Sequence, residues 1–147
     1  MSEDIIRDIK RFNRFYTRAM GLFNIYTDES SYSATEALIL FEISVRKDCT
    51  AAYLSNLFLL DKSYMSRILK HFERDGLIVK RIFEEDRRIQ HIELTDIGGE
   101  ALKSLADRAS LNVKSMIEGI SKEEIHVLID SMKKIEKVLY PNIQRGN

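Results

Sequence analysis

The sequence predicts a mainly α-helical domain carrying one small β-hairpin, and three observations predict it. Apolar residues recur at helical spacing over long stretches at both ends of the chain. Serine, threonine and aspartate stand where helix starts need a side-chain acceptor. One segment, Leu77 to Leu94, turns to β-branched and aromatic character around a polar centre. With one proline and six glycines in 147 residues, breakers are scarce and long helices are permitted.

The elements follow in order. From Glu3 to about Tyr26, Ile5, Ile9, Phe12, Tyr16, Ala19 and Phe23 define one helical stripe, widened by Phe15, Met20 and Tyr26. Five aromatics on one such helix exceed what a lone surface helix needs and imply a partner surface. Ser33-Ala-Thr-Glu36 is a capping box opening a second helix through Leu38, Leu40, Phe41 and Val45. After the connector Lys47-Asp48-Cys49, Thr50 caps a helix from Ala51 to about Phe58, and Asp61 caps another from Lys62 to about Arg74, ended by Gly76. Only Leu59 and Leu60 lie between them, a spacing that predicts a helix-turn-helix. Leu77–Phe83 and Ile89–Leu94 then read as strands around the polar loop Glu84–Arg88, a loose hairpin with no Asn-Gly turn. Thr95 restarts helix, carried by Leu102, Leu105, Ala109, Val113, Met116 and Ile120 and closed near Gly119. Ser121-Lys-Glu-Glu124 opens a last helix with Ile125, Leu128, Ile129, Met132, Ile135 and Leu139 on its apolar face, and Pro141 is expected to end it. Neither repeat nor linker interrupts the pattern, so residues 1–147 are read as a single domain.

Composition excludes more than it assigns. The 23 basic and 23 acidic residues cancel, so any nucleic-acid surface has to come from local clustering of charge. Cys49 is the lone cysteine, which rules out an intramolecular disulfide and a multi-cysteine zinc site. The opening MSEDIIRDIK lacks the apolar core of a signal peptide, and the longest apolar run, Ala37–Phe41, is too short to span a bilayer; a cytoplasmic protein with no membrane partner is expected. His71, His91 and His126 show no metal-binding spacing, so no metal site is expected. With no nucleophile elbow, phosphate loop, dinucleotide fingerprint or CxxC pair, neither an enzyme nor a cofactor is expected. Solvation and the helix dipole account for the acid pairs Glu84-Glu85 and Glu123-Glu124.

Within Lys62–Arg74 two faces separate. Met65, Ile68, Leu69 and Phe72 point to a core, while Arg67, Lys70 and Arg74 share the opposite side with Ser63 and Ser66. Small hydroxyls and Tyr64 near the helix start suit base edges and sugars, and the basic side chains suit phosphate or guanine. An ordinary solvated basic face would look the same, but the hairpin adds Arg87 and Arg88 on a projection able to enter a narrow minor groove. Asp86 is best placed to hold a neighbouring arginine in one rotamer. The alternative is an interaction module that keeps the fold without binding DNA, favoured by near-neutral charge because Asp61, Glu73, Asp75, Glu84, Glu85 and Asp86 offset the local cations.

Taken together, Asp61-Lys-Ser-Tyr-Met-Ser-Arg67, Phe72-Glu-Arg-Asp-Gly-Leu-Ile78, Glu85-Asp-Arg-Arg88 and Leu94-Thr-Asp-Ile-Gly98 resemble the MarR family of winged helix-turn-helix regulators. Arg11-Phe-Asn-Arg-Phe-Tyr-Thr-Arg18 further resembles the MarR portion of proteins that fuse it to an acetyltransferase, although no acetyltransferase fits in 147 residues. The resemblance implies a winged core over residues 33–94 and dimerisation helices over 1–28 and 95–141. It implies a homodimer on a near-palindromic duplex operator, acting as a repressor. Ser63, Tyr64, Ser66 and Arg67 would read or border the major groove, with Lys70, Arg74, Asp86 and Arg87 nearby, and Arg88 would enter the minor groove. Ile5, Ile9, Phe23, Tyr26, Ile125, Ile129 and Met132 would build the dimer interface. A small aromatic effector would sit against Arg11, Phe12, Phe15 and Tyr16, in a crevice between the dimer helices and the winged core. Relatives that sense oxidants carry their cysteine in the first helix, where this chain has none. Relatives often carry glycine in the turn where this chain has Leu59.

Overall fold

The computed structural model describes residues 2–20 and 32–145. Its order is α1 (Glu3–Ala19), α2 (Ala34–Val45), α3 (Ala51–Phe58), α4 (Lys62–Arg74), β1 (Ile78–Phe83), β2 (Asp86–Leu94), α5 (Asp96–Met116) and α6 (Lys122–Arg145). This is a mainly helical winged helix-turn-helix. Side-chain caps set the helix starts where the sequence places them. Ser33 and Glu36 form the reciprocal capping box of α2, and Thr50, Asp61 and Thr95 accept from the amides of Tyr53, Tyr64 and Gly98. Ser121 accepts from the Glu124 amide at the start of α6.

The core lies between α2, α3, α4 and the hairpin. Ile39, Leu40, Leu54, Met65, Leu69, Phe72 and Ile78 are almost wholly removed from water, joined by Leu105 of α5. Burying side chains of this size contributes roughly 1.5–3 kcal/mol each. The connector between α2 and α3 is tied to the wing, since the Ile92 amide donates to the Cys49 carbonyl at 2.8 Å. That contact fixes the wing's orientation against the helix-turn-helix.

A second junction joins the wing to α5. The Thr95 hydroxyl donates to the Gly76 carbonyl at 2.5 Å, and the Thr95 amide to the Leu77 carbonyl at 2.9 Å. Gly98 is buried in the first turn of α5, where a Cβ would run into the Leu77 carbonyl. The spacing Leu94-Thr-x-x-Gly98 thus has a steric cause. At the other end of α5, the Asn112 amide donates to the Met20 carbonyl and holds the end of α1.

Three elements depart from expectation. The hairpin is tight: β1 and β2 are joined by Glu84-Glu85 alone, and Phe83 faces Asp86. The pairing then jumps to Ile82 opposite Gln90, so Arg87, Arg88 and Ile89 bulge from β2 and absorb the polar stretch expected as loop. Pro141 does not end α6, which runs on to Arg145. A proline forfeits its own amide bond, but the amides that follow still face carbonyls one turn back, so the ladder resumes. Helix α1 is described to Ala19, and Phe23 and Tyr26 lie outside the described residues.

Leu59 closes α3 in the left-handed region, with φ 54° and ψ 39°, and its side chain is 74% exposed. Glycine occupies that region without steric cost, whereas a side chain there costs about 1–2 kcal/mol. Leu59→Gly should therefore stabilise the fold, offset in part by greater freedom of the unfolded chain, and raise Tm by roughly 2–4 °C. A thermal melt showing a lower Tm would mean that the exposed leucine makes stabilising contacts in the turn.

Candidate nucleic-acid interface

Helix α4 presents the two faces its sequence predicts. Met65, Ile68, Leu69 and Phe72 are buried, and Ser63, Tyr64, Arg67, Lys70 and Arg74 are exposed, with Ser66 half-buried between them. The buried side locks the rotation of the helix, so the exposed side chains face outward in a fixed order. The first turn is less open to anions than free amides would make it. Asp61 accepts the Tyr64 amide at 2.7 Å and puts a carboxylate at that end. Recognition along α4 therefore falls to side chains.

A polar cluster fixes the far end of α4. His71 Nε2 lies 2.9 Å from Asp75 Oδ2, and its Nδ1 lies 3.8 Å from Glu36 Oε2 at the start of α2. The Tyr32 hydroxyl donates to the same Asp75 oxygen at 3.0 Å. Burial, then the bond to Asp75, pushes that hydroxyl up to about 12, so it keeps its proton. The i,i+4 spacing of His71 and Asp75 was visible in sequence; Tyr32 and Glu36, distant in the chain, were not. A second pair missed in sequence braces α3. Tyr53 donates to Glu42 Oε1 at 2.7 Å, while the Arg46 guanidinium lies 4.3 Å from its ring centroid.

At the wing, Asp86 organises the bulge. One of its oxygens accepts the Arg88 backbone amide and Nε, and the other accepts Nη2, all at 3.0 Å. The Arg88 side chain is nonetheless 90% exposed, so the clamp aims a guanidinium into solvent. Arg88, Ile89 and Gln90 face Thr50, Ala51 and Ala52 at the start of α3 across an open cleft. Arg87 is exposed beside it. Arg67, Lys70, Arg74 and Arg87 pair with no carboxylate among the described residues, whereas Arg7, Arg81 and Arg88 each do.

The remaining sequence-predicted residues separate. Ile5, Ile9 and Ile129 are exposed, and Ile125 and Met132 are half-buried. Phe12 and Ile9 line a groove of about 490 Å³ with Ile135, Val138 and Leu139 of α6. Arg11, Phe15 and Tyr16 are not among its walls. Their spacing with Phe12, two i,i+4 pairs, keeps the four on one side of α1, but the groove lies between the terminal helices, not against the winged core. Phe12 instead stacks on Tyr16, with ring centroids 5.6 Å apart. Cys49 is fully buried, and burial pushes its thiol up to about 11, which opposes thiolate chemistry. The histidines sit on α4, β2 and α6, and among the described residues no three metal-ligating side chains come together.

Residues 30–89 match the model of the MarR family. Over that stretch the winged helix is similar to the MarR family. An uncharacterised helix-turn-helix-type transcriptional regulator of Bacillus subtilis (strain 168), YdgJ, is 33% identical over 76 residues, covering 52% of this chain and 46% of YdgJ. The aligned part thus spans less than half of that relative. A MarR-family protein from Bacillus stearothermophilus superposes with a TM-score of 0.80 at 20% identity, covering 95% of this chain and 99% of that one. FabT of Streptococcus pneumoniae in complex with DNA superposes with a TM-score of 0.74 at 21% identity, covering 93% of this chain and 98% of FabT. The likeness of fold to these solved structures extends over α1, α5 and α6 as well as the winged core.

The hydrogen bonds from Arg88, first its side chain and then its backbone amide, hold the Asp86 carboxyl below the ordinary aspartate range. A depressed folded value means the clamp is intact above the unfolded pKa and is lost as pH falls through the folded one. A carboxyl-carbon NMR titration should place the Asp86 midpoint below that of an unstructured aspartate, and Arg88→Ala should return it. A midpoint unmoved by Arg88→Ala would show that the clamp does not form in solution.

Proposed function

We propose that this chain is a sequence-specific, duplex-DNA-binding transcriptional regulator that works in the cytoplasm as a homodimer. The observation that carries the proposal is the unneutralised charge on one surface. Arg67, Lys70, Arg74 and Arg87 are exposed and without carboxylate partners on α4 and the wing, beside the clamped Arg88. Asp61, Glu73, Asp75, Glu84 and Glu85 lie on or beside the same elements, so the proposal rests on these cations being left free to meet phosphate. The likeness of the fold to FabT, solved in complex with DNA, supports DNA binding.

In this reading residues 33–94 contact DNA, and residues 1–28 and 95–141 hold the dimer. No residue of α1 and no described side chain of α6 is buried, yet both helices carry apolar stripes, including Ile5, Ile9 and Phe12 on one and Ile129, Ile135 and Leu139 on the other. Those stripes need a cover, and a second copy supplies a complementary one. Ile125, Met132, Phe23 and Tyr26 are assigned to the same interface. A two-fold dimer places both α4 helices in successive major grooves, roughly 34 Å apart, on a near-palindromic site. Phosphate contacts from Lys70, Arg74 and Arg87 supply affinity, Ser63, Tyr64, Ser66 and Arg67 supply discrimination, and Arg88 reaches the minor groove. Occupancy of a promoter would block polymerase. An effector that changes the spacing of the helices would release the site, with Phe12 the one proposed contact that lines a groove. The likeness of Arg11–Arg18 to acetyltransferase fusions rests on that segment alone and adds no enzymatic role.

Fluorescence anisotropy across a salt series tests the proposal. The protein should bind a duplex from its own upstream region more tightly than a scrambled duplex, and binding should weaken steeply with salt. Arg88→Ala should lower the salt slope by about one while weakening both duplexes alike. An unchanged slope would remove Arg88 from the DNA, and no binding at low salt would favour the interaction module.

A further inference from the structure

Two arginines of the outer surface are held in chemically different ways. Arg88 spends Nε and Nη2 on the Asp86 carboxylate. Arg67 pairs with no carboxylate among the described residues; its guanidinium carbon lies 5.6 Å from the centroid of the Tyr64 ring. A carboxylate takes up the in-plane donors of a guanidinium. An aromatic face holds the same ion through its π cloud and leaves those donors unspent. Tyr64 and Arg67 are three residues apart on one helix, so the ring and the guanidinium meet without distortion. Tyr64 is 39% exposed, and its ring is not part of the buried core.

We propose that Tyr64 is a positioning residue, a shelf that holds Arg67 with its donor edge free for a guanine in the major groove. Guanine is the base whose major-groove edge offers two adjacent acceptors, O6 and N7, matching two parallel guanidinium donors. Adenine places a donor beside its N7, and the pyrimidines offer no such pair. Arg67 also lies in the first half of α4, the part of a recognition helix that reaches base edges. Lys70 and Arg74, further along, show no aromatic contact among the described residues and suit phosphate. Without the shelf, Arg67 would have to lose its rotamer freedom on DNA itself. This assignment rests on the DNA-binding reading above.

Selection from a random duplex pool, with sequencing of the bound fraction, tests it. The wild-type protein should enrich half-sites with a guanine at one fixed position. Arg67→Ala should flatten that position. Tyr64→Ala should weaken the guanine preference roughly threefold to fivefold, the size of an exposed cation–π contact, while Tyr64→Phe keeps it. Circular dichroism checks that each variant is folded. A Tyr64→Ala pool with undiminished preference would overturn the shelf, and so would a Tyr64→Phe pool that loses it, since the hydroxyl would then be the contact. A guanine that survives Arg67→Ala would overturn the pairing. A wild-type pool with no enriched sequence would instead remove the DNA-binding reading, and the shelf with it.

Discussion

The close approach of Gly98 to the Leu77 carbonyl is the constraint on which the remaining geometry hangs. At that point the end of α4, the start of β1, the end of β2 and the first turn of α5 occupy one small volume. The Leu77 amide donates to Phe72, its carbonyl accepts from Thr95, and the Thr95 hydroxyl reaches back to Gly76. Gly76 itself takes φ 75°, which lets the chain turn sharply out of α4. Helix α4, the wing and the long helix α5 are thereby coupled as one body. A shift of α5 would have to move α4 and the wing with it.

Charge is organised on top of that frame by pairing and its absence. Arg7 and Arg81 meet carboxylates and are neutralised locally. Exposed pairs of this kind contribute little to stability, a median of about 0–1 kcal/mol. Arg88 is paired as well, but with its acid two residues away in a bulge, so that pairing sets direction. On α4, Arg67, Lys70 and Arg74 pair with no carboxylate among the described residues, and the Tyr64 ring steadies Arg67. The zero net charge of the whole chain hides this arrangement, and Asp61, Glu73, Asp75, Glu84 and Glu85 stand exposed on or beside the same elements without pairing with these cations.

Much of the fold was legible because it rests on local rules. Caps at Ser33, Thr50, Asp61 and Thr95 announce their helices, and the 3.6-residue period of Met65, Ile68, Leu69 and Phe72 names the buried face of α4. The Asp86–Arg88 clamp was legible for the same reason, since its partners are two residues apart. What escaped the sequence depends on long-range contact or on geometry a residue tolerates at a cost. Tyr32 and Glu36 reach His71 and Asp75 only in the folded chain. The hairpin tightened because a bulge, invisible as a motif, took up Arg87–Ile89. Leu59 adopts a left-handed conformation its side chain disfavours, and α6 continues through Pro141. Of the four residues assigned to an effector, Phe12 lines the groove between α1 and α6, a placement set by how the two terminal helices meet.

Hydroxyl-radical footprinting on the chain's own upstream duplex tests the central claim most directly, because it reports where on the helix the protein lies. Two bound recognition helices with flanking wings should protect two patches centred about one helical turn apart, with further protection in the adjoining minor grooves. Arg88→Ala should strip the outer protection and leave the two central patches. A single patch, or a uniform weak protection without periodicity, would contradict a dimer that reads DNA through α4 and the wing.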